Sequence, residues 1–217
     1  MDLTRAVDGY CERLDPGYWA EPLNAVTNLA FLIAALVMAG RMRRQPVPLG
    51  WAMVAVLAVI GIGSFLFHTH AQVWAGIADV LPILGFILLY IFAVNRHVWR
   101  LGRWPALGLT ALFLPFAAAL GPVFAQVPGL GSSAGYAPVP LLIAIYAVLL
   151  RRRTPAFARG LAVGAAILVA SLTFRSLDMP LCAVWPLGTH PMWHLLNALM
   201  LGWMIAAYRR ELIRARI

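Results

Sequence analysis

Residues 48–94 read PLGWAMVAVLAVIGIGSFLFHTHAQVWAGIADVLPILGFILLYIFAV. Two apolar runs, Pro48–Phe67 and Ala75–Val94, flank a short joint, and neither run contains a basic residue. Each has the length that carries a helix across a ~30 Å hydrocarbon core. The pair therefore predicts two membrane helices joined by a tight turn. Yet Ser64, His68, His70 and Asp79 lie in or beside these runs. Polar and ionisable groups are costly in hydrocarbon, so where they occur they are candidates for function.

The rest of the chain extends this pattern. It is 62% hydrophobic and only 12% charged, and its mean hydropathy is +0.82. A water-soluble domain of this size needs a larger polar skin. Seven apolar spans are predicted: Leu23–Ala39, Pro48–Phe67, Ala75–Val94, Trp104–Leu120, Pro138–Leu150, Gly160–Phe174 and Pro191–Tyr208. The expected fold is an all-α membrane protein, one bundle of seven transmembrane helices spanning residues 1–217. Residues 1–22 form an acidic segment outside the membrane, and residues 209–217 a basic cytoplasmic tail. The polar start lacks the basic end and short apolar core of a cleavable signal peptide, so the first span is expected to serve for insertion.

Charge sets the orientation. All seventeen basic residues are arginines. Most cluster after spans one, three, five and seven, while the connections after spans two, four and six hold only Arg175. This alternation predicts an N-terminus outside and a cytoplasmic C-terminus. It also explains the net charge of +9 as membrane-flanking charge, and no nucleic-acid partner is expected.

That topology places His68 at the outer end of span two and Asp79 at the outer start of span three. His190 and His194 begin span seven. They are four residues apart and so share a helix face, and Pro191 suits a helix's first turn. Two imidazoles one turn apart, with a third from a neighbouring helix, describe a three-nitrogen zinc site with an open position for water. Ser64 lies one turn before His68. Asp79 can orient a histidine, hold water or act as general base. His70 is expected at the outer surface, and His97 among the cytoplasmic arginines.

Three blocks resemble the alkaline ceramidases. GSFLFHTHAQVWAGIADVLPI matches their G-S-x-x-F-H…D-x-x-P block, THPMWHLLNA their H-x-x-x-H block, and YCERLDPGYWAEPLNAVTNLAF their C-E…E-P-x-N-x-x-T/S-N block. The blocks stand in the family's order. The superfamily also includes the adiponectin and progestin receptors. The resemblance implies a seven-helix intramembrane zinc amidase, with His68, His190 and His194 on zinc. Asp79 would move protons. Ser64 would stabilise the oxyanion, or contact metal or substrate. The substrate would be ceramide or another N-acyl lipid, cleaved to a fatty acid and an amine.

The resemblance also implies calcium in the N-terminal segment. Glu12 and Glu21 match that pattern, with Tyr10 through its carbonyl. Asp8 and Asp15 stand one residue from positions where Gly9 and Leu14 replace the family's ligands. A solvated acidic segment is the alternative. Cys11 and Cys182, the two cysteines, both fall on the outer side. A disulfide between them is expected in an oxidising space, with two free thiols as the alternative. Arg175 and Asp178 are expected to pair locally, or Arg175 to meet a lipid headgroup. Asn24, Asn28 and Asn197 are expected to hydrogen-bond between helices.

Three functions compete. The first is the lipid amidase. The second is a lipid-binding, receptor-like member of the superfamily with a mainly structural metal, disfavoured by Asp79 and Ser64 beside the histidines. The third is a haem protein, disfavoured because haem takes axial histidines from opposite sides. The expected surroundings are the lipid bilayer and a membrane lipid substrate. If the source is a bacterium, the bilayer is its inner membrane, with the site toward the outer face.

Overall fold

The computed structural model describes residues 2–216. Among them the regular elements are helical, apart from one isolated bridge between Ala6 and Gln72. Seven helical rods follow in order. Four are α1 (Pro22–Arg44), α2 (Gly50–His70), α3 (Val73–Val98) and α4 (Arg103–Ala125). The others are α5 (Pro138–Leu150), α6 (Pro155–Leu181) and α7 (His190–Arg214). Five of them, α1 to α4 and α6, are long and apolar enough to cross a membrane. Helix α5 has 13 residues. Helix α7 has 25, but histidines and Asn197 occupy one end and arginines the other.

The rods mostly outrun the predicted spans. Helix α1 runs on through Arg41, Arg43 and Arg44, and α6 has 27 residues where the apolar run suggested fewer. Continuing a helix past the hydrocarbon keeps its backbone hydrogen-bonded, and long arginines reach back to water. The start of α6 is set by Pro155, which needs no hydrogen-bond donor at a first turn.

Helix α7 lies at the heart of the bundle, with His194, Ile205 and Tyr208 fully buried. It packs closely on α6 because Gly160 and Gly164 leave room: a methyl on Gly160 would stand 3.0 Å from the Ala207 side chain, and one on Gly164 would strike Met204. Small residues at such crossings let membrane helices approach. Polar tethers add to this. The Trp203 indole donates to the Gly160 carbonyl at 2.8 Å, Ser171 to Trp193 at 3.1 Å, and Tyr90 on α3 to Met204 at 3.1 Å. Helix α4 is peripheral, burying only Ala106, Thr110 and Phe113.

The two ends of the bundle differ. At the arginine end, Arg209 donates to the Gln45 carbonyl at 3.0 Å, and the Arg153 guanidinium lies 5.7 Å from the Trp99 ring centre. At the opposite end the N-terminal segment runs along the α2–α3 joint. Val7 donates to Ala71 at 2.7 Å, and Val73 and Trp74 donate to Arg5 and Leu3 at 3.1 and 3.0 Å.

The contact that matters most for the site is at Gly63. A Cβ there would run into the backbone carbonyl of Ala78. Helices α2 and α3 thus touch backbone to backbone, one residue from Ser64 and one from Asp79. Gly63→Ala is expected to cost about 1–3 kcal/mol, since neither backbone can yield cheaply. Thermal unfolding of the purified protein in detergent checks this. Gly85→Ala, on an open face of α3 with nothing near its Cβ position, is the matched control and should leave the midpoint unchanged or slightly raised.

Candidate active site

Three histidines meet at the end covered by the N-terminal segment. His68 comes from the last turn of α2, and His190 and His194 from the first turns of α7. All three are buried and each offers a ring nitrogen, the three lying within 4.8 Å of one another. Nε2 of His68, Nδ1 of His190 and Nε2 of His194 have no hydrogen-bond partner in the protein. Orphaned buried nitrogens are costly singly. Three that face one another are what a tetrahedral metal requires.

Each ring is held by a different device. His68 Nδ1 lies 2.6 Å from Glu21 Oε2. A carboxylate only accepts, so this nitrogen carries the proton and Nε2 keeps its lone pair. His194 Nδ1 lies 2.8 Å from Thr27 Oγ1. The Thr27 hydroxyl donates its one proton back to the Leu23 and Asn24 carbonyls, at 2.8 and 3.1 Å. It therefore accepts from His194, and Nε2 again is left free. Such outer partners fix the tautomer of metal-binding histidines.

His190 is placed through its backbone. Asp178 Oδ1 accepts the N–H groups of Thr189 and His190 at 2.7 and 2.8 Å, capping the start of α7. Its other oxygen accepts the Cys11 N–H at 3.0 Å. Gly188, at φ +68°, lets the chain pass the Asp178 carboxylate where any Cβ would collide. The Tyr10 ring covers His190, with centres 3.9 Å apart. Burial pushes the Tyr10 phenol far above its ordinary range, so it stays protonated.

Asp79 is half-buried on α3. It lines a cleft of about 490 Å³ with Tyr10, Phe67, Tyr136 and Arg175. It stands within electrostatic range of His68 and Arg175, and the Ser64 hydroxyl is beside its carboxylate. Ser64 itself is buried on α2. The cleft-lining Asp79 carboxylate thus lies between the cleft and the buried Ser64 and His68 behind it.

Cys11 and Cys182 form a disulfide, with Cα atoms 5.4 Å apart. The expected Arg175–Asp178 pair does not form. Asp178 is engaged by three backbone N–H groups. Arg175 turns toward the cleft, donating to Ser132 and Ser133 at 2.7 and 3.3 Å and lying over the Tyr136 and Trp193 rings. Asn24 and Asn28 do not bridge helices either. They donate to Glu21 at 3.2 Å and to the Asn24 carbonyl at 2.9 Å, serving the start of their own helix. His70 is exposed beside Tyr18 and Trp74, and His97 lies in the last turn of α3 at the arginine end.

The side chains among the five residues expected on calcium do not form a group set to share a metal. Asp8 is exposed. Asp15 accepts from the Gly17 N–H at 2.6 Å. The two Glu12 oxygens accept the Leu23 and Asn24 N–H groups at 2.6 and 2.8 Å, and the Tyr10 carbonyl accepts the Arg13 N–H at 3.3 Å. Glu21 holds His68 with one oxygen and Arg13 with the other, both at 2.6 Å. Burial works to raise the Glu21 carboxyl, but hydrogen bonds from His68 and Arg13 and the Arg13 charge outweigh it and hold it below the usual range. Among the described residues, the histidine triad is the one group of three or more His, Cys, Asp or Glu side chains set to share a metal. These donors fit zinc at the triad and do not fit calcium at the N-terminal segment.

Thr27, Asp178 and Arg13 were not anticipated as parts of the site. Glu21, Asn24 and Thr27 recur at intervals of three on the first turns of α1, a spacing that puts them on one face and could have exposed Thr27. Arg13 and Asp178 act through contacts with irregular segments and with residues up to 167 positions away, which no local period reveals.

The family model for ceramidases matches residues 10–214. No curated protein matches the sequence.

Proposed function

The chain belongs to the ceramidase family, and from that premise we propose that it is a zinc-dependent amidase, cleaving ceramide or a related N-acyl lipid within the membrane. The observation that carries the reading is the set of three orphaned imidazole nitrogens, with the cleft-lining Asp79 carboxylate within electrostatic range of His68. A structural metal would need no such carboxylate.

Bound zinc would supply Lewis acidity and a water acidic enough to attack at neutral pH. The protein's own groups do the rest. His68, His190 and His194 hold the ion, with Glu21 and Thr27 fixing two of the rings. Asp79 takes the proton of the attacking water as its oxygen adds to the amide carbon. It then delivers that proton to the leaving nitrogen as the C–N bond breaks. The Ser64 hydroxyl donates to the carbonyl oxygen as negative charge develops there. The products are a fatty acid and an amine. The apolar cleft walls hold the acyl chain, and Tyr10 closes one side against water.

The bundle crosses the membrane seven times, with the N-terminal segment outside and the arginine end in the cytoplasm. This reading rests on the alternation of arginines between successive connections. The active site then opens at the outer membrane face, where a lipid amide linkage lies.

The test is turnover. Purified protein with its zinc quantified, offered a panel of ceramides and other N-acyl lipids, is expected to release fatty acid over many cycles per molecule. Removing zinc should abolish release and restoring it should recover release. Turnover that persists in metal-free protein, or binding without any release across the panel, rejects the reading.

A further inference from the structure

The N-terminal segment contains a cage of oxygen atoms, and a side chain of the protein fills it. The Arg13 guanidinium is buried, with its side chain 5% exposed. Nε donates to Glu21 Oε1 at 2.6 Å, Nη1 to the carbonyls of Asp15 and Gly17 at 3.2 and 3.3 Å, and Nη2 to the His68 carbonyl at 3.3 Å. One carboxylate and three carbonyls around a positive charge are the kind of donors a hard cation takes. Glu12, the other carboxylate nearby, is turned away onto the start of α1.

We infer that Arg13 is a built-in cation that makes this protein independent of calcium, and that it is a positioning residue for the histidine triad. The chain of contacts is short. Arg13 fixes one Glu21 oxygen, the other Glu21 oxygen fixes His68 Nδ1, and the His68 ring presents Nε2 to the metal. Arg13 also holds the backbone of His68 directly, so it grips both ends of that residue. Glu21 by itself could rotate away. Pinned by a planar guanidinium whose other nitrogens are anchored on carbonyls, it cannot do so without breaking several bonds together. A metal ion in this place could be lost by dilution or chelation, whereas a covalently attached guanidinium cannot.

The positioning role rests on the zinc site proposed above, while the calcium claim does not. Calcium is titrated into zinc-loaded wild-type protein by calorimetry, and thermal unfolding is followed with and without calcium. No binding and no shift in the midpoint are expected. Saturable calcium binding that raises the midpoint overturns the inference. Zinc affinity, measured by competition with a chromophoric chelator, is expected to fall about 10–100-fold in Arg13→Ala, as for loss of other outer-shell partners. Added guanidinium at non-denaturing concentration should restore part of it, and added ammonium should not. If the alanine variant does not fold, Arg13→Lys keeps the charge without the fork, and is expected to fold with weakened zinc binding. Wild-type zinc affinity in either folded variant overturns the positioning role. These readouts are of metal binding and unfolding, so they hold whichever lipid is the substrate. Intact zinc binding without amide hydrolysis would count against the proposed function alone.

Discussion

His68→Ala is expected to abolish stoichiometric zinc and to lower amide hydrolysis by about 10³-fold or more. The size follows from the role of the metal. It is asked to supply several kcal/mol of transition-state stabilisation, and roughly 4 kcal/mol corresponds to about three powers of ten in rate. The loss should exceed that of a simple ligand deletion. His68 is the only proposed ligand from α2, so without it the site keeps two nitrogens one helical turn apart. Glu21 would also lose the His68 N–H and be left with Arg13 and Asn24. Elemental analysis of the purified variant together with its hydrolysis rate decides the matter. Zinc retained at the wild-type level would remove His68 from the ligand set.

Asp79→Asn is expected to separate metal binding from catalysis. The substitution keeps shape and half-buried position but removes the ability to take a proton. A positioned general base contributes about 10²–10⁴-fold, so kcat should fall by that range while zinc content and folding stay at wild-type levels. KM should change little, because the carboxylate is one small part of the wall of the cleft proposed to hold the acyl chain. Should zinc be lost as well, Asp79 would be part of the metal's support. Should activity be unchanged, the proton carrier is another group.

Much of this site was readable before any coordinates because it obeys a period. His190 and His194 share a face through spacing alone, and Ser64 and His68 do the same on α2. What joined those helices in the reading was the distribution of arginines. It assigned one depth to four ionisable residues, and the structure does bring His68, Asp79, His190 and His194 to one end of the bundle. The fold class was readable for a similar reason: long apolar runs leave a helix few alternatives in lipid. The less legible parts are irregular. Arg13 sits in a segment without periodic structure, and its partners lie 2 to 55 residues away. The Arg175–Asp178 expectation failed on competition. Three backbone N–H groups at the start of α7 and in the N-terminal segment hold Asp178 more firmly than an arginine near water could. The calcium expectation had the same weakness. It counted carboxylates, and could not see that protein donors already hold Glu12, Asp15 and Glu21.

The way the N-terminal segment is fastened has a consequence for the order of events during synthesis. It is made before the groups of α2, α6 and α7 that hold it. His68 lies in the last turn of α2 with Ala71 just after it, and Asp178 and Cys182 come more than a hundred residues later. Cys11 must wait 171 residues for its partner. His190 and His194 follow Cys182, so the histidine triad cannot be completed before α7 has been made. The N-terminal segment is therefore made well before it can dock, and the cover over the candidate site closes only once α7 is in place.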